Sequence, residues 1–190
     1  MNEKSLWERL KLSTKQIFLI LVFMLILEVV NHFSGYALSK MGGIIPREPH
    51  RLFTVFTAPF LHFSPNHLFL NSLPFAIFGC LICLQDKRLF IKLTLFSSFF
   101  AGLAVWALAR GGNSVHAGSS LLIFAYFGFL LASGWYAKNW KSLILAVIVM
   151  FFFGGMLMGV LPTKDFVSWE SHLFGLIAGV VYAKIIGPQK

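Results

Sequence analysis

The chain has 190 residues, 57% of them hydrophobic and only 12% charged, with a mean hydropathy of +0.77. A soluble domain carries about 25% charged residues, so a water-facing shell cannot be built here and lipid is the solvent for most of the chain. The formal net charge of +9 is spread over short loops and both ends rather than gathered on one patch, which argues against a nucleic-acid surface.

Residues 1–14 read as a basic amphipathic segment (Leu6, Trp7, Leu10) suited to the inner membrane surface. The first spanning segment is Lys15–Phe33. Its apolar run, Ile17–Val30, follows a basic start but has no convincing small-residue cleavage site, so it reads as a retained helix rather than a signal peptide. It carries one acid, Glu28, without an evident partner. The loop from Ser34 to Ser64 is long, semi-apolar and rich in Gly and Pro, and it is expected partly in the membrane interface. Five further segments have roughly the 20 apolar residues a spanning helix needs: Pro65–Leu84, Leu89–Ala109, Ser120–Ala137, Ser142–Leu161 and Trp169–Ile186. Polar breaks divide them: QDKR at 85–88, RGGNSVHAG at 110–118, KNWK at 138–141 and PTKDFVS at 162–168. Residues 188–190 are a tail. Cys80 and Cys83 share the second apolar stretch and read as packing residues, not a disulfide. The expected fold is an all-α membrane protein of six transmembrane helices, with the membrane domain spanning 15–187.

Basic residues set the orientation. With the N-terminus inside, Lys4, Arg9, Lys11, Lys15, Lys87, Arg88, Lys92, Lys138, Lys141, Lys184 and Lys190 fall on the inner side. Lys40, Arg47, Arg51, Arg110 and Lys164 fall outside. Eleven of the 16 against five predicts both termini in the cytoplasm. The second, fourth and sixth segments then begin near the outer face.

Polar groups in spanning helices are costly and are functional candidates by default. Three sets stand at those outer ends. In HLFLN, Ser64 caps the second segment and Pro65 fits its first turn, which puts His67 and Asn71 four apart on one face. In HAGSSLLIF, a Gly-containing loop delivers Ser119 and Ser120 to a helix start, among free N–H groups and the positive dipole end that suit a developing oxyanion. Either serine is also a good helix cap. In SHLFGLIAG, His172 falls in the first turn, and Gly175 and Gly179 form a small-residue stripe matched by Gly128 and Ala132 on the fourth segment. Close approach of these two helices would bring Ser120 and His172 together. Glu170 faces away from His172 and complements the helix dipole, Asp165 is in a loop, and a Ser–His dyad is the economical reading. His116 reads as a loop histidine near the interface.

At these residues the chain resembles the rhomboid family of intramembrane serine proteases, in their compact six-helix prokaryotic form, from about Ile44 onward. RLFTVFTAPFLHFSPNHLFLN looks like the family's loop-1-to-helix-2 signature, GSSLLIF like its serine motif, and SHLFGLIAG like its histidine motif. The resemblance implies Ser120, four before Phe124, as nucleophile, with Ser119 the variable residue between. It implies His172 as general base, and His67, Asn71 and the Ser120 N–H as oxyanion hole. Gly118 matches the tight-turn glycine, Phe124 the aromatic under the base, His62 a structural histidine, and Arg51 the arginine of a Trp-Arg pair. His50 stands where the tryptophan is expected, and Leu121 where a second glycine is usual. The resemblance further implies transmembrane protein substrates entering sideways between the second and fifth helices, no cofactor or metal, and a bacterial inner-membrane location with the site toward the outer face. The loop 162–168 would serve as a lid and the Gly154, Gly155 and Gly159 helix as a mobile element. Two other readings stand beside this one. One is a zinc-dependent hydrolase using His67, His116 and His172. The other is a non-catalytic protein that binds membrane clients. A transporter lacks an inverted repeat or a midplane carboxylate pair.

Overall fold

The computed structural model describes residues 5–112, 114–136, 138–162 and 168–187. Among the described residues there are seven α-helices: α1 (Leu6–Phe33), α2 (Ala37–Gly42), α3 (Pro65–Gln85), α4 (Lys87–Leu108), α5 (Ser120–Tyr136), α6 (Trp140–Phe153) and α7 (Trp169–Ile186). Short 3-10 turns cover Pro49–Val55, Ala58–Phe60 and Gly154–Val160. Six helices match the expected apolar segments, and α2 is an addition inside loop 1.

Local chemistry sets the boundaries. The Ser5 side chain accepts the Glu8 N–H at 3.3 Å, and the Glu8 carboxylate accepts the Ser5 N–H at 3.2 Å, a reciprocal cap. Helix α1 therefore starts at Leu6 rather than Lys15, and residues 6–14 of the basic N-terminal segment form its first turns. Ser64 accepts the His67 N–H at 3.1 Å and Pro65 opens α3, as expected. Asp86 caps α4 through the Arg88 N–H at 2.8 Å, and Asn139 caps α6 through the Ser142 N–H at 2.9 Å. The expected fifth segment changes character at Gly154, where α-helix gives way to a 3-10 turn. Paired glycines hold an α-helix poorly.

Helices Trp7–Phe33, Pro65–Gln85, Lys87–Leu108 and the joined Trp140–Val160 stretch are long and apolar enough to cross a membrane. Helix α5 is shorter, at 17 residues, and is buried on every side from Leu121 to Leu130. An all-round apolar helix belongs at the centre of a bundle. It packs most extensively on α7. Cys80 and Cys83 are free thiols, Cys83 buried.

The α5–α7 contact is backbone against backbone. A Cβ on Gly175 would strike the Leu121 carbonyl oxygen, one on Gly179 the Ala125 carbonyl oxygen, and one on Gly128 the Leu176 carbonyl oxygen. Gly175 and Gly179 thus face the start of α5, where the serines lie. Overpacking such a contact costs about 1–3 kcal/mol or more. Gly179→Leu should lower thermal stability in detergent by at least that much or prevent folding. Gly155→Ala, where an added Cβ meets open space, should stay within about 0.5 kcal/mol. Thermal unfolding of the two purified variants checks the pair.

Candidate active site

Loop 1 is built around the backbone of His62. Asn31 on α1 and Ser39 on α2 are both fully buried. Asn31 Nδ2 donates to the His62 carbonyl at 2.6 Å and to Ser39 Oγ at 2.7 Å. Ser39 Oγ donates to the same carbonyl at 2.6 Å, and the Ser39 N–H returns to Asn31 Oδ1 at 3.1 Å. This closed network fixes where the imidazole points.

His62 reaches the nucleophile loop. Its Nε2 accepts the Ser119 N–H at 3.3 Å and lies 3.2 Å from Ser119 Oγ. Burial, helped by the neighbouring His67 ring, pushes His62 down to about 3, so the ring stays neutral and Nε2 stays an acceptor. The two adjacent serines therefore differ. Ser119 is buried and engaged with His62, whereas Ser120 is half-buried at the first position of α5.

Gly118 joins Ser120 to His67. It sits at φ +135°, and a Cβ there would lie 2.8 Å from His67 Cε1, 3.0 Å from His67 Nε2 and 3.7 Å from Ser120 Oγ. Both the dihedral and the space demand glycine. The Gly118 N–H is held by the Ala58 carbonyl at 3.0 Å. Asn71 lies one turn beyond His67 on the same face, and its buried Nδ2 has no partner among the described residues. A buried donor left unpaired costs about 1–3 kcal/mol, which a ligand oxygen would recover.

His172 stacks flat on Phe124, with ring centroids 4.2 Å apart and planes 6° from parallel. Its Nδ1–H donates to the Gly159 carbonyl at 2.8 Å, which fixes the tautomer and leaves Nε2 with a free lone pair. A Cβ on Gly159 would lie 2.9 Å from Phe124 Cζ and 3.2 Å from His172 Nδ1, so glycine admits this approach. Ser120 and Phe124 are one turn apart on α5, and the imidazole lies one turn in from the hydroxyl. Ser120 and His172 are not hydrogen-bonded to each other.

Two residues read as bland are not. His116, in the loop before α5, is 3% exposed. Its backbone pairs with Ile44 in both directions at 2.9 Å. Its Nδ1 lies 2.5 Å from Ser168 Oγ, which lies 2.6 Å from Ser171 Oγ. His116 stands four residues before Ser120, and Ser168 four before His172. This junction therefore ties loop 1, the serine loop and the start of α7. Glu170 is also more than a dipole complement. It is buried, and Oε1 lies 3.3 Å from Arg110 Nε and accepts the Arg110 N–H at 3.3 Å. No signal in a single sequence pairs residues 52 and 60 positions apart.

The His50 departure does not leave loop 1 loose. Trp106 Nε1–H donates to the Glu48 carbonyl at 3.0 Å, and Arg47 donates to the Ala109 carbonyl at 2.9 Å. Arg51 donates to the Lys40 carbonyl at 2.5 Å. Leu121, the other departure, is buried beside Ala58, Pro59, His116 and Ser171. The zinc reading fails on geometry. His67, His116 and His172 do not converge, and no three metal-binding side chains come together among the described residues. Asp165 and the proposed lid lie at 162–168, of which 163–167 are outside the described residues.

The His62 interaction sets a pH dependence. The folded ring titrates near 3 and the unfolded one near about 6.5, so the unfolded chain binds more protons between those values. The stability from this site is full above the unfolded value and is lost as pH falls toward the folded one, at up to about 1.4 kcal/mol per pH unit. His62→Asn should remove that part of the slope. Thermal unfolding from pH 7 to pH 5, run on both proteins, checks it.

A family profile described as the Rhomboid domain matches residues 49–189. An uncharacterized protein of Mycobacterium tuberculosis is 33% identical over 168 residues, covering 85% of this chain and 70% of that protein. One of Mycobacterium leprae is 35% identical over 178 residues, covering 88% and 70%. Inactive RHOMBOID-like protein 8 of Arabidopsis thaliana is 30% identical over 142 residues, covering 70% of this chain and 39% of that protein. The match runs from the first 3-10 turn of loop 1 through α7, and the chain belongs to the rhomboid family as an integral membrane protein.

Proposed function

We propose that this rhomboid is a serine endopeptidase that cuts transmembrane segments of other membrane proteins. The observation that carries the reading is the state of His172. Its Nδ1–H is committed to the Gly159 carbonyl at 2.8 Å, and its ring is clamped on Phe124 one turn from Ser120. A histidine so held offers only Nε2, as a general base must.

The chemistry follows from the residues. Nε2 of His172 takes the Ser120 hydroxyl proton as Oγ attacks the substrate carbonyl carbon. The carbonyl π electrons move onto oxygen, and His67, Asn71 and the Ser120 N–H stabilise that oxyanion. His172 then protonates the departing amine as the C–N bond breaks, and a water repeats the sequence in reverse to free Ser120. The Gly159 carbonyl takes the orienting place that an acid holds in a triad, which supports a dyad.

Six membrane crossings with both termini in the cytoplasm complete the reading, on the eleven-to-five division of the 16 basic residues. The site then opens toward the outer face of a bacterial cytoplasmic membrane. Substrates would enter between α3 and α6, where the joined Trp140–Val160 stretch is only 11% buried. A second reading, a client-binding protein without catalysis, is favoured by the word "inactive" in the name of the Arabidopsis relative. The presence of both Ser120 and His172 weighs against it.

Purified protein in proteoliposomes should cleave a transmembrane reporter peptide, and Ser120→Ala and His172→Ala should each reduce the rate at least about 1,000-fold. Undiminished cleavage by either variant overturns the dyad. A wild-type protein that neither cleaves nor reacts with a fluorophosphonate at Ser120, yet retains a membrane client, establishes the second reading. A green fluorescent protein fused at the C-terminus should fluoresce, and alkaline phosphatase fused there should be inactive; the opposite pattern overturns the orientation.

A further inference from the structure

A groove of about 710 Å³ lies at the other end of the bundle from Ser120, between the first turns of α1 and the corner joining α3 to α4. That size falls within the roughly 300–1,000 Å³ of small-molecule sites. We propose that it binds the headgroup of an acidic phospholipid in the leaflet it faces. This inference rests on the protein's place in the membrane and not on proteolysis.

The two walls are built differently. Arg9, Leu12, Ser13, Gln16, Leu19 and Ile20 line one wall, and their spacing places them on one face of α1. From Arg9 to Ile20 that face runs roughly 16 Å along the helix axis. The opposite wall is the corner itself, from Cys83 to Lys87. Polarity is graded along the groove. Arg9, Lys15 and Lys87 are the basic residues of the lining, and Leu19 and Ile20 form an apolar end about a turn beyond Lys15 on α1. Leu19 is 56% exposed, so the apolar end opens sideways onto lipid.

The charges are unequally committed. The Arg9 guanidinium donates to the carbonyls of Leu84 and Gln85, which closes the last turn of α3 and fixes the corner. The single acid of the groove, Asp86, is held by the Arg88 N–H at 2.8 Å. Lys15 and Lys87 are exposed and make no hydrogen bond or ion pair among the described residues. Two free ammonium groups therefore flank a cleft that is polar at Ser13 and Gln16 and apolar at Leu19 and Ile20. A phosphate monoanion satisfies the first feature and an attached acyl chain the second. Basic pockets between membrane helices recognise acidic headgroups in this way.

The test uses the 190-residue chain in nanodiscs. Retention of phosphatidylglycerol, phosphatidylcholine or added inorganic phosphate is read by native mass spectrometry, and matching helical circular dichroism in phosphatidylcholine serves as the folding control. Wild-type protein should hold phosphatidylglycerol selectively. The Lys15→Gln/Lys87→Gln double variant should hold it about 25-fold less tightly, and each single variant about fivefold less. The single variants decide the matter if the double variant does not fold. Equal retention by the variants, equal retention of phosphatidylcholine, or displacement of the lipid by millimolar phosphate would overturn the proposal.

Discussion

Everything at the site depends on how near α5 and α7 come to each other. Their backbones meet where Gly175 and Gly179 lie on the carbonyls of Leu121 and Ala125, and where Gly128 answers from the other side. In lipid there is no hydrophobic force to draw helices together, so packing at small residues supplies the contact. That contact sets the distance between the helix that starts with Ser120 and the helix whose first turn carries His172. A single methyl group at Gly179 would push the two apart by more than a hydrogen bond tolerates.

The second constraint is polar. Loop 1 is irregular where it runs through the buried Leu61 and His62, and backbone of that kind survives in a membrane protein only where its polar groups are satisfied internally. Asn31 and Ser39 satisfy the His62 carbonyl, His62 satisfies the Ser119 N–H, and the Ala58 carbonyl satisfies the Gly118 N–H. Each bond is modest, but the chain of them is continuous from α1 to the nucleophile loop. Loop 1 is thereby a structural wall of the site and not a tether between two helices.

Most of the helix starts, and the placing of the candidate site residues on them, were legible in the sequence. Ser64-Pro65, the two serines and the Gly175–Gly179 stripe are local patterns whose physics acts within a turn or two. What could not be read was longer in range or finer in grain. His116 looked unremarkable because its partner, Ser168, is 52 residues away. Glu170 looked like a dipole complement because Arg110 is 60 residues away. The start of α1 moved from Lys15 to Leu6 because a hydropathy boundary is not a hydrogen-bond boundary. Ser5 and Glu8 extend the helix into polar sequence that lipid would not require to be helical. The break at Gly154 was foreshadowed by the glycines. Its purpose, turning the Gly159 carbonyl toward an imidazole, was not.

The Gly159–His172 bond has one further consequence. Its acceptor belongs to the main chain, so every residue type at position 159 would still supply the oxygen. What the glycine contributes is clearance beside Phe124 and His172, not chemistry. Genetic change can therefore lose the orienting group only by crowding, whereas displacement of the 3-10 turn on which it rides can lose it with no change in sequence at all. The proton inventory of the imidazole is, in that sense, a mechanical reading of where the end of α6 stands.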